Sequence, residues 1–194
     1  MPITVTPETF TYVAFDADVI RRIADELVGS LGMQQTPITI EVDETTPLAK
    51  TTVAIDDGVH DGIYIRADSG AFEDTRKPRQ QSETATATAL GRVLLRANDR
   101  MTGGFGEAPP DDALTLPQTA AWETYSIGRL ERLGIPVNRQ RWLYNFRNRH
   151  GFTDAGDTAF EQLWQSRGLT WGELCTISER AVAGAAACGP TTKA

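Results

Sequence analysis

From Asp16 to Leu31 apolar residues recur every three or four positions. Val19, Ile20, Ile23, Leu27 and Leu31 share one face, and Arg21, Arg22, Asp25 and Glu26 take the other. This period predicts an amphipathic helix. Asp16 or Asp18 can open it by accepting free backbone N–H groups, and Gly32 can close it by tolerating the left-handed conformation of a helix end. The period then shortens to two. Pro37 to Asp43 alternates apolar and polar residues, Thr51 to Ile55 is a second extended run, and Gly62 to Arg66 sets Ile63 and Ile65 on one side. Three strands are expected. The stretch from Asp68 to Gln80 is charged, contains Pro78 and predicts an exposed loop. A helical period returns from Ser82 to Met101, with Ala87, Leu90, Val93, Leu94, Ala97 and Met101 as its apolar stripe.

Residues 102–116 hold Gly103, Gly104, Gly106, Pro109 and Pro110, which interrupt regular structure and predict a linker. Everything beyond reads as helix. One starts near Pro117, carries Trp122, Tyr125, Ile127, Leu130 and Leu133, and stops at Gly134-Ile135-Pro136. Asn138 caps the next, which turns Trp142, Leu143 and Phe146 inward. Thr153 or Asp154 opens another with Phe160, Leu163 and Trp164 inside. Thr170-Trp171-Gly172-Glu173 then fits a capping box, in which each side chain satisfies the other residue's amide. The last helix fades into Ala183 to Ala187, and residues 189–194 are expected to be a disordered tail. The expected organisation is an α+β region over 1–101, a linker over 102–116 and a helical region over 117–188. The expected fold class is α+β: a helix, a three-stranded mainly antiparallel sheet and a long helix, then an all-helical half.

Composition narrows the function classes. The net charge of −7 over 194 residues disfavours non-specific binding to nucleic acid or to an anionic membrane. No apolar run is long enough to span a bilayer, and the N-terminus lacks the basic and apolar regions of a secretory signal, so a cytoplasmic protein without a membrane partner is expected. Cys175 and Cys188 lack the spacing of a zinc or redox motif. No serine nucleophile elbow, phosphate-binding glycine loop or dinucleotide fingerprint is present.

Gly62-Ile63-Tyr64-Ile65-Arg66, a charged loop, and then Ala89-Leu90-Gly91-Arg92-Val93-Leu94-Leu95-Arg96 follow one another as an edge strand followed by a long helix. Together with the preceding helix and strands, over about residues 16–101, this order resembles the compact zincin-like metallopeptidases. The resemblance implies an HExxH motif on the long helix, whose two His bind zinc while the Glu activates water. In one frame those positions are Gly91, Arg92 and Leu95. In another they are Ser82, Glu83 and Thr86. Neither set supplies the zinc ligands, so the resemblance implies a degenerate scaffold with no metal, no cofactor and no catalytic residues.

Two other constellations carry chemistry. Asp56, Asp57, His60 and Asp61 around Gly58 combine hard oxygens with an imidazole that could meet a divalent cation, though Asp and Gly are also what a turn between strands requires. A site scattered over Asp56, His60 and Glu83 would make the chain a hydrolase unrecognisable from its sequence. The segment 139–152 is the most distinctive. From Arg129 to His150 there are six Arg and one acidic residue, Glu131. Arg139, Arg141, Trp142, Tyr144, Arg147, Arg149 and His150 are the candidate binding residues, because guanidinium groups grip anions and aromatic rings stack on bases or side chains. The same arginines could instead pair with acidic neighbours such as Asp111, Asp112, Asp154 or Asp157. The span from Ala159 to Arg180 has the shape of a helix-turn-helix, but its second helix offers little basic charge and reads as a plain helical hairpin. The expected function is therefore non-catalytic interaction or regulation with another protein as partner, and the alternative is binding of nucleic acid or another anionic ligand through 139–152.

Overall fold

The computed structural model describes residues 3–55 and 62–187. The chain divides into two compact units, Met1–Asn98 and Asp99–Ala194. It is α+β, and among the described residues no helix is long and apolar enough to cross a membrane.

The first unit is built on a four-stranded mixed sheet in the order β1-β2-β4-β3. Its strands are β1 (Ile3–Thr6), β2 (Ile38–Asp43), β3 (Thr51–Ile55) and β4 (Ile63–Asp68). The expected sheet had three mainly antiparallel strands. In the structure β1 runs parallel to β2 and β2 parallel to β4, and only the edge strand β3 is antiparallel to its neighbour. The reason is the connections. Helix α1 (Ala17–Leu31) joins β1 to β2 as a crossover, which parallel strands need. Strand β4 then inserts between β2 and β3, so the consecutive strands β2 and β3 do not pair, whereas β3 and β4 do.

Register aligns Ile3, Ile38 and Ile63 across the sheet, and beside them Val5, Ile40 and Ile65. All are buried, together with Ile20, Ile23 and Leu27 of α1. The opposite face is polar: Tyr64 donates to the Glu41 carboxylate there, and Arg66 lies 3.7 Å from Asp43. Asp16 is the cap of α1, accepting from the amides of Asp18 and Val19, and Gly32 takes the left-handed conformation with φ of 71°. The stretch 68–80 is more ordered than an exposed loop. Phe72 is fully buried, and β5 (Glu73–Asp74) pairs with β6 (Lys77–Gln81). Helix α2 (Glu83–Met101) follows. Leu90, Val93, Leu94 and Ala97 are buried as expected, whereas Met101 is exposed.

The second unit contains α3 (Leu116–Arg132), α4 (Arg139–His150), α5 (Asp154–Gln165) and α6 (Trp171–Ala187). Thr115 and Gln118 form a capping box at the start of α3. The amide of Ile135 donates to the Leu130 carbonyl past Gly134, ending that helix as the sequence predicts. Residues 102–116 do more than link. Phe105 is 1% exposed, stacks at 4.8 Å on Trp122 and 6.1 Å on Tyr125, and meets the Trp171 ring at a tilt 5.9 Å away. Arg100 donates to the Pro109 carbonyl and pairs with Asp111 at 2.8 Å. The segment is thus bound into the core of the second unit by one aromatic ring and one ion pair. Leu133, expected inside, is exposed.

A candidate interaction surface on the fourth helix

Asn138 caps α4 by accepting from the Arg141 amide. Its helical turn distributes the candidate residues over two faces. The inward face holds Phe146 and His150, with Trp142 and Leu143 half-buried beside them. The outward face holds Arg141, Tyr144 and Asn148, all exposed; Arg149 is exposed too, about 140° round the helix from Tyr144.

His150 is not available for binding, contrary to the sequence expectation. It is 1% exposed and stacks on Phe146 with centroids 3.8 Å apart. Its Nδ1 lies 3.2 Å from the Phe146 carbonyl, which can only accept, so Nδ1 carries the proton. The other nitrogen, Nε2, then accepts from the Ser178 hydroxyl at 2.8 Å. Burial pushes the pKa of this imidazole down to about 4, against a smaller opposing effect of the Phe146 carbonyl. The ring is neutral and enclosed, so the pair with Ser178 ties α4 to α6 and offers no nucleophile to a substrate.

Two of the four candidate arginines are committed to structure. Arg147 makes a two-pronged pair with Asp157 at 2.7 and 2.6 Å, which draws the Asp157 pKa down and raises that of Arg147. Arg139 pairs with Glu161 and lies over the rings of Phe160 and Trp164. Arg141 and Arg149 make no ion pair among the described residues and reach solvent. Trp142 contributes mainly to packing.

The structure adds a residue outside the candidate set. Phe152, just beyond the helix, is 61% exposed and meets the 59%-exposed Tyr144 edge-on at 5.9 Å. Arg147 stands 6.0 Å over the Phe152 ring. No periodicity marks Phe152, because it lies in the short connection to α5. The available signal was an aromatic residue placed between a helix end and the Thr153 cap. Gly151 sets this corner with φ of 93°, where a Cβ would lie 2.6 Å from that of Ala185.

The other constellations fare differently. Asp56, Asp57, His60 and Asp61 lie outside the described residues, and with them the scattered hydrolase site; so do Cys188 and residues 189–194. Glu83 is exposed and pairs with Arg22 at 2.6 Å. Cys175 is a free, half-buried thiol whose pKa is raised by burial. Helices α5 and α6 pack on each other as a hairpin, with Leu163, Trp164, Leu174 and Ile177 inside. Among the described residues no three His, Cys, Asp or Glu gather so as to hold a metal ion. Comparison of the chain with protein-family models, with curated proteins and with solved structures found no match.

Proposed function

We propose that this chain works by binding another protein rather than by catalysis, with a degenerate zincin-like scaffold in its first unit and its contact surface at the outer face of α4. The observation that carries the reading is the state of the helix positions where metal chemistry would sit. On α2, Gly91 has no side chain, Leu95 is 2% exposed within the core, and Arg92 donates to the Thr51 hydroxyl at 2.7 Å. In the alternative frame Ser82 accepts from the Ala85 amide, Glu83 is ion-paired and Thr86 is fully buried. Each position is occupied by a capping, packing or pairing role, and none offers an imidazole. The order of helix, strands and long helix supports the scaffold comparison, although β4, read from the sequence as its edge strand, lies inside the sheet between β2 and β3.

The test is elemental analysis of the purified chain, together with hydrolysis of a mixed peptide library with and without chelator. The expected result is no stoichiometric zinc and no chelator-sensitive cleavage. One zinc per chain, with cleavage lost on chelation, would overturn the proposal.

A further inference from the structure

We draw no further inference here: the strongest candidate, the outer edge of β3, which pairs with β4 on one side only and turns the backbone groups of Thr51, Val53 and Ile55 outward, carries nothing, because nothing in the structure shows what covers it.

Discussion

His150 and Asp99 are both polar and both enclosed in the second unit, and opposite means keep them there. His150 stays neutral, with one ring nitrogen on a carbonyl and the other on Ser178. Its pKa of about 4 lies below the unfolded value of 6.5. Between those values the unfolded chain binds the proton and the folded chain does not. The stabilisation is therefore fully present above about pH 6.5, falls as the pH drops toward 4, and amounts to about 3 kcal/mol over that window. Proton NMR, with His150 assigned by its loss in His150→Gln, should show the His150 ring silent between pH 5 and 7; titration of that ring near 6.5 would contradict this. Asp99 is held as an ion pair, 6% exposed. It accepts both forks of Arg129 at 2.6 Å and the Trp122 indole at 2.8 Å. Asp99→Asn would leave the guanidinium uncompensated and should cost about 3 kcal/mol in urea denaturation. A loss under about 1 kcal/mol would mean that solvent screens the pair. The sequence marked His150 as basic and near arginines, but burial is not a property of a residue's neighbours in sequence. Only Ser178, 28 positions away, explains why the ring faces inward.

At the scale of elements, caps and periods were legible because they act within a few residues. Asp16, Gly32, Thr170 and Gly134 behave as their chemistry requires. Strand order was not legible, since pairing depends on which connection crosses which. The long insertion of β4 between β2 and β3 leaves no local trace. Helix crossings were equally hidden. On α3, a methyl group at Gly128 would collide with the Trp164 carbonyl of α5, while Arg132 donates to the carbonyls of Trp164 and Ser166 at the end of that helix. Gly128→Ala should therefore destabilise the second unit by about 1–3 kcal/mol, although alanine favours a helix in isolation. A stabilised variant in thermal melts would show that α3 and α5 can separate there at little cost.

For the whole molecule, charge and composition describe an average that the two units do not share. Of the net −7, residues 1–98 contribute −6 and residues 99–194 contribute −1. The unit carrying the exposed arginines is thus nearly neutral, which lets a local basic face act. The boundary also moved. Glycines and prolines in 102–116 predicted a linker, yet Phe105 is enclosed by Trp122, Tyr125 and Trp171. Phe105→Ala should cost about 3–5 kcal/mol. Hydrogen exchange should quicken in α3 and α6 while β2 and β4 keep their protection; equal loosening of both units would refute the assignment of Phe105 to the second.

The sequence by itself determined where helices begin and end, which faces are apolar, and that α2 carries no histidine, because these follow from short-range spacing and residue chemistry. The tertiary structure alone decided the parallel pairing of the sheet, the burial of His150, the pairing of Arg139 and Arg147, and the meeting of Tyr144 with Phe152. Each of those depends on atoms brought together by chain folding, and a linear pattern carries no distance across it.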